Sequence, residues 1–357
     1  MHGTLPPARD AVADRRADER ACAAAIRAGS KSFHAASLLL PPHVRRSALA
    51  LYAFCRLSDD MVDGGDFGPA VEGATRRLSA RLDRIYSGTP ADHPADRSFA
   101  RIVERHAIPR ELPDALIEGF EWDEAGRRYD TIGELHEYGT RVAAAVGAMM
   151  TLIMGQRDPV VLARACDLGL AMQLTNICRD VGEDAAEGRL YLPRQWMHEA
   201  GLDPDAFLAA PLHDERIAGV IERVLGEATR LYARASTGVG ALPPGCRAAI
   251  QAALSIYRDI GREIAMAGHD SVTRRARTTK ARKVALATAA HRARLMRPRL
   301  DVSPAMPQVR HLIDAVVRSG PPSAQANVSG MGRFVELLDS MDGRRGTRLP
   351  THDWTRW

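Results

Sequence analysis

QLTNICRDVGED, residues 173–184, sets Gln173, Asn176, Asp180 and Asp184 at spacings of three and four. At 3.6 residues per turn such positions stack along one side of a helix. Far upstream, RLSDDMVD at 56–63 does the same with Asp59 and Asp63. Carboxylates lined up on one helical face repel one another unless positive charge sits beside them. Two such faces turned toward each other across a bundle make a cage for divalent cations. Hard ions such as Mg2+ take one or two carboxylates each and complete their shells with water and substrate phosphate oxygens.

The flanks favour this reading over that of a solvated acidic surface. Ala48, Leu49, Leu51, Ala53, Phe54 and Cys55 make the turns before the first acidic stretch apolar nearly all round, as in a buried helix. Tyr52, Arg56, Asp59 or Asp60, and Asp63 continue that helix on one strip, and an uncompensated buried carboxylate is very costly. In the second stretch Arg179 and Arg189 stand beside the carboxylates, and arginine grips phosphate through a rigid fork of donors. Acid and base mixed around one point suit a ligand that is itself a metal-bridged polyanion. SKSF at 30–33 reads either as a plain helix cap or as an anion site at a helix start.

Composition agrees with a helical, soluble chain. Hydrophobic residues make up 45% and charged residues 26% of the 357 residues, the balance of a globular protein. Aromatics are only 5% while alanine, leucine and arginine abound, which favours helices over sheets. Apolar positions recur at helical spacing through 111–124, 134–155, 158–184, 214–239 and 245–267, and no run alternates like a strand. Residues 1–20 read as a mobile polar arm and 21–297 as the catalytic domain. Residues 298–357 read as a Pro/Gly-rich extension with short helices at 306–318 and 331–341. Five cysteines without CxxC spacing argue against a disulfide framework or zinc site and for a reducing cytoplasm. The N-terminus lacks the apolar core of a secretory signal, and the apolar run 143–154 is too short to span a bilayer. Membrane contact, if made, is therefore peripheral, and Arg344, Arg345, Arg348, Trp354, Arg356 and Trp357 in the tail offer it an anionic membrane surface. The net charge of +5 suits several anionic partners. The basic run 274–283 carries no zinc-finger or RNA-stacking pattern, so nucleic acid is not expected.

No Ser/His/Asp order, glycine-rich nucleotide loop or HExxH is present. Metal-assisted departure of a diphosphate fits what remains. The carbocation left behind requires an apolar tunnel that excludes water. Phe33, Leu38, Leu39, Leu49, Val142, Val146, Met149, Met150 and Leu174 are candidate walls, with plain core packing as the alternative for each.

SKSFHAASLLLP (30–41), ALYAFCRLSDDMVD (50–63), EGFEWDEAGRRYDT (118–131), YGTRVAAAVGAMM (138–150) and QLTNICRDVGEDAAEGRLYLP (173–193) together resemble the bacterial phytoene synthase branch of the squalene/phytoene synthase family of head-to-head prenyl transferases. The resemblance covers about residues 20–290. It implies an all-α, isoprenoid-synthase-type helical bundle around a central apolar cavity. It implies condensation of two geranylgeranyl diphosphates, through prephytoene diphosphate, to 15-cis-phytoene. Diphosphate is released, a phytoene desaturase takes the product onward, Mg2+ or Mn2+ is required and NADPH is not. Carried over by residue, Asp59, Asp63, Asn176, Asp180 and Asp184 would hold the metal, with Asp60 a lesser candidate. Ser30, Lys31, Ser32, Arg56, Arg179, Arg189 and Arg274 would hold diphosphate, and Tyr52, Tyr138 and Tyr257 would line the reacting centre. Phe33, Ser37, Leu49, Val142, Val146 and Gln173 would line the cavity.

Ser37 and Leu49 stand where relatives that join C15 units can carry bulkier groups, which favours C20 substrates. The alternative is a C15 head-to-head synthase making squalene, presqualene diphosphate or dehydrosqualene. NICRDVGED argues against a head-to-tail elongase or a terpene cyclase, and the complete set of carboxylates and arginines against a silent scaffold. His34 and His269-Asp270-Ser271 depart from the family's usual pattern.

Overall fold

The structure is a computed structural model that describes residues 8–62, 73–295 and 299–321. Among these residues there is no strand. In chain order the helices are α1 (Ala8–Gly29), α2 (Lys31–Ser37), α3 (Pro42–Val62), α4 (Ala74–Tyr86), α5 (Pro94–His106), α6 (Glu111–Glu124) and α7 (Ile132–Gly139). A π-helical turn, Thr140–Ala144, leads into α8 (Ala145–Ile153). Next come α9 (Pro159–Ala186), α10 (Arg194–Glu199), α11 (Pro204–Ala209), α12 (Glu215–Gly238), α13 (Pro244–Met266), α14 (Lys280–Ala290) and α15 (Arg310–Ser319).

Local chemistry sets the long helices. Asp158 caps α9 by accepting from the Val160 and Val161 N–H groups, with Pro159 in the first turn. Asp214 does the same for α12 with Arg216 and Ile217. Each cap satisfies donors that the helix itself leaves unpaired. α9 is the central post, with Leu162, Cys166, Leu170, Leu174 and Cys178 shielded completely from solvent. By length and composition it could cross a membrane, but two thirds of its apolar window (67%) is buried in the bundle, as a core helix requires.

Small residues let the neighbours come close to that post. A Cβ on Gly169 would lie 2.6 Å from the Ala143 carbonyl oxygen, and one on Gly147 would lie 2.8 Å from that of Ala165. The backbones of the π-helical turn and α8 therefore touch α9 directly. The π-helical turn rotates α8 relative to α7, a frequent device near functional sites.

Among the described residues, helical packing reaches further toward each terminus than composition suggests. The arm expected over 1–20 is helical from Ala8. Asp18, Cys22 and Ile26, spaced by four, form its buried stripe, and Asp18 is held by Arg97 at 2.5 Å and Arg101 at 2.7 Å. Counting charged residues hides such a stripe, because one of its members is itself charged. At the other end, the composition change at 298 does not mark the end of packing. Val309 and Leu312 are fully buried, and the compact unit runs to Gly320. The helix expected at 331–341 and the basic tail lie outside the described residues.

Burial pushes the imidazoles of His106 and His136 down to about 4, whereas in an unfolded chain they titrate near 6.5. A base held neutral in the fold contributes stability above its unfolded pKa and loses it as pH falls through the folded value. We expect the urea midpoint to drop as pH falls from about 6.5 to about 4, and less steeply in His136→Leu. Equal slopes for the two proteins would contradict the burial of this ring.

Candidate active site

A cavity of about 360 Å3 runs between α2, α3, the π-helical turn, α8, α9, α13 and the end of α12. Helical periodicity decides who faces it. From α3 it takes Ala48, Leu51, Tyr52 and Cys55; from α9 it takes Val161, Arg164, Ala165, Leu168, Met172, Gln173 and Asn176. Phe33, Ser37, Val142, Val146, Met150 and Tyr257 complete much of the wall. Leu49 is not in it. One residue along α3 from Ala48, it is turned about 100° away and packs in the core. Met149 and Leu174 are likewise core residues at 0% exposure, while Leu38 is 53% exposed on the surface.

One end of the cavity is polar and aromatic. The Phe33 ring lies 5.3 Å from that of Tyr257 and 6.4 Å from that of Tyr52. Burial pushes the Tyr257 hydroxyl up to about 12, against the pull of Arg179 and with Tyr52 and Asp180 adding to it. Gly29 leaves room for the Tyr52 hydroxyl, which would sit 2.3 Å from any Cβ there.

The acidic stretches lie at this same end. Asp59 is one turn beyond Cys55 and Asp180 one turn beyond Asn176, on helices whose preceding turns line the cavity. Arg56 bonds Asp59 at 3.0 Å and Asp60 at 2.5 Å. Arg179 donates to both oxygens of Asp180, at 2.8 and 2.5 Å. Arg275 reaches the same carboxylate at 2.7 Å and Glu183 at 3.1 Å. The Asn176 Oδ1 is buried with no hydrogen-bond partner. Burial, with Asp180 and Glu187 nearby, raises the Asp184 carboxyl to about 7 despite Arg189.

Arg275, not Arg274, is the residue of the basic loop that enters the site. Arg274 is exposed and sits 3.4 Å from Asp270. The loop is docked on α9 at Gly182, whose N–H donates to the Ser271 carbonyl at 2.9 Å. A Cβ on Gly182 would come within 2.2 Å of the Val272 carbonyl oxygen, so only glycine permits this approach. Asp270 braces the loop by accepting from the Val272 and Thr273 N–H groups. The sequence held the signal in Gly182 and Asp270, but counting arginines alone could not choose between neighbours that pair with different carboxylates.

Tyr138 is also displaced from its expected place. It does not line the cavity; its hydroxyl donates to Asp123 at 2.9 Å, beside Tyr191, which donates to the other Asp123 oxygen at 2.8 Å. The Tyr138 and Tyr191 rings stack at 5.1 Å. The π-helical turn breaks the four-residue spacing between Tyr138 and the cavity-lining Val142, so the two face different ways. Asp123 and Tyr191 sit in the WDEAGRRYDT and GRLYLP stretches, but nothing in their local spacing pairs them. Ser30 acts as the cap of α2, accepting from the Phe33 N–H at 3.2 Å. The Arg189 N–H donates to the Asp184 carbonyl at 2.8 Å. Asp63 and the side chains of Lys31 and Ser32 lie outside the described residues.

The donors at the mouth fit a hard divalent ion by type: carboxylate oxygens, one orphaned amide oxygen and a carboxyl that burial and its acidic neighbours push up to about 7. Among the described residues no three Asp, Glu, His or Cys side chains already converge on one point, because Arg56, Arg179 and Arg275 draw Asp59, Asp60 and Asp180 to themselves.

Residues 26–282 match the family model described as squalene/phytoene synthase. A phytoene synthase of Rhodobacter capsulatus is 53% identical over 305 residues, covering 84% of this chain and 90% of its own. One from Cereibacter sphaeroides is 52% identical over 318 residues, covering 85% and 89%. Among solved structures, a dehydrosqualene synthase superposes with a TM-score of 0.70 at 28% identity, covering 78% of this chain and 96% of its own. A squalene synthase from Alicyclobacillus acidocaldarius gives 0.66 at 25% identity, covering 72% and 96%. With the family model matching residues 26–282 and a relative 53% identical over most of both chains, the chain belongs to the squalene/phytoene synthase family.

Proposed function

We propose that this protein is a phytoene synthase that joins two geranylgeranyl diphosphates head to head, by way of prephytoene diphosphate, to 15-cis-phytoene. The observation that carries this is one cavity with apolar walls and a mouth holding both acidic helices and three arginines. The relatives at 53% and 52% identity, each called a phytoene synthase, supply the choice of C20 over C15. Ser37 and Ala48 on the cavity wall are small, which agrees with a long substrate.

In this reading Asp59, Asn176, Asp180 and Asp184 would hold Mg2+ or Mn2+, with Asp63 as a further ligand. When bound, the ions supply positive charge that neutralises the departing diphosphate. Arg56, Arg179 and Arg275 donate to its oxygens, exchanging carboxylate partners for phosphate ones. As the C–O bond breaks, the allylic cation forms between the faces of Phe33, Tyr52 and Tyr257, whose ring electrons attract it. Val142, Val146, Met150 and Met172 keep water from it. Carbon–carbon bond formation to the second substrate, with a proton lost to the released diphosphate as the three-membered ring closes, gives the cyclopropyl diphosphate. Loss of the second diphosphate and rearrangement leave a cation that gives up a proton to released diphosphate. Proton loss closes the electron balance, so no NADPH enters.

Incubation with C15 and C20 diphosphates and Mg2+, read by mass spectrometry, tests the assignment. Phytoene from the C20 substrate without NADPH is expected; squalene or dehydrosqualene alone, from the C15 substrate, would overturn it. Asp180→Ala should lower kcat/KM by about 10^3-fold or more, with unchanged turnover refuting the role given to that carboxylate. Arg275→Ala should cost about 10^2-fold, whereas Arg274→Ala should stay within about threefold of the unaltered protein. The reverse ranking would mean that the loop turns over when substrate binds.

A further inference from the structure

The cavity has a second end, far from the carboxylates. Along α9, Asn176 at the mouth and Val161 at the far end are about 22 Å apart at 1.5 Å per residue. Among the described residues that line the cavity, Arg164 alone is charged, and it sits in this deep half. It is 1% exposed.

Its guanidinium hydrogen-bonds through Nη1 and Nη2, while Nε makes an ion-pair contact without a hydrogen bond. Nε lies 3.0 Å from the buried Asp167 carboxylate, and Nη1 lies 3.0 Å from that of Asp301. Nη1 also donates to the Asp301 carbonyl and the Ser303 hydroxyl, and Nη2 to the Ser303 carbonyl, at 3.1 to 3.3 Å. Arg234 reinforces the set, reaching Asp167 and Ser303 at 3.0 Å each. The stem of Arg164 packs on Gly238, another cavity residue, where an added Cβ would lie 2.6 Å from the Arg164 Cβ.

A stopper at this depth could have been leucine or methionine. Replacing a buried ion pair by well-packed apolar groups is often neutral or stabilising, so stability does not explain the charge. A guanidinium whose rigid fork is met by fixed acceptors holds one position, whereas a methionine in its place would swing and let the wall give. Two of the groups that fix it, Asp301 and Ser303, come from the segment after the catalytic core in sequence.

We propose that Arg164 is the floor of the prenyl tunnel, and that Asp301 and Ser303, as positioning residues, set through it the longest chain the protein accepts. This rests on reading the cavity as a prenyl tunnel. The test is binding of unreactive prenyl thiodiphosphates with C15, C20 and C25 chains, by calorimetry, with turnover of the matching diphosphates measured alongside. Arg164→Ala should raise affinity for the C25 probe relative to the C20 probe by about tenfold or more. Gly238→Ala, at φ −76° and so without backbone strain, places a Cβ 2.6 Å from the Arg164 Cβ, so the floor residue must shift, and the C20-to-C15 affinity ratio should change by a similar factor. Circular dichroism establishes which variants fold, and if Arg164→Ala does not, Gly238→Ala decides alone. Ratios within about twofold of the unaltered protein in Gly238→Ala, or in a folded Arg164→Ala, overturn the proposal. Binding of the C20 probe without turnover of its diphosphate would instead sink the reaction assigned above, and the ratios would still report on the floor.

Discussion

Charge balance at Asp180 is the constraint on which the working end of this molecule depends. The carboxylate belongs to a helix buried for most of its length, and it is gripped by Arg179 from its own helix and Arg275 from a distant loop. Neither pairing is a surface ornament: Asp180 and Arg179 are each less than one fifth exposed, where an unpaired charge is strongly unfavourable. The same pairing keeps the arginines pointed at the place where a polyanion would arrive. Arginines held by weakly solvated carboxylates can exchange those partners for phosphate without first being ordered, which is what preorganisation means in electrostatic terms.

The grip from Arg275 exists only because two backbones nearly touch. Gly182 has no side chain to hold the 270–275 loop off α9, and the hydrogen bond from its N–H to Ser271 fixes the approach. The same device recurs deeper in the bundle, where Gly169 and Gly147 bring α9 against the π-helical turn and α8. Close backbones draw the walls inward, and Ala48, Gly147, Ala165 and Gly169 are among the small residues that line the cavity between them. Packing and electrostatics are thus two results of one pattern of small residues along α9.

Much of this was legible in the chain. The three-and-four spacing of Asn176, Asp180 and Asp184 and the apolar turns before Asp59 indicated the helices and their burial, since each depends only on local periodicity. What failed depended on register between elements. Leu49 and Ala48 are adjacent and both apolar, and only the rotation of α3 against α9 decides which one faces the cavity. Tyr138 was misplaced by a π-helical turn, which carries no compositional mark in TRVAA. Arg274 and Arg275 were indistinguishable until the Gly182 contact fixed the loop. The helix expected at 306–318 is present over residues 307–319, whereas a helix such as α1 that buries a charged residue looks polar to any measure of average composition.

The displacement of Leu49 changes how substrate length is to be understood. If one bulky position on α3 governed it, the depth of the cavity would hang on a single side chain, and a Leu-for-Trp exchange there would be decisive. Leu49 packs in the core and does not reach the cavity, so its size acts on α3's seating and only indirectly on the tunnel. The wall on that side is Ala48 and Leu51, and across from it stands Ser37. Depth is bounded where α9, α12 and the segment after 298 converge on Arg164. Width and depth therefore answer to different elements of the fold. A change in chain-length preference can arise at either place without disturbing the carboxylates and arginines roughly 20 Å away along α9, and chemistry at the mouth stays constant while the length of the product varies.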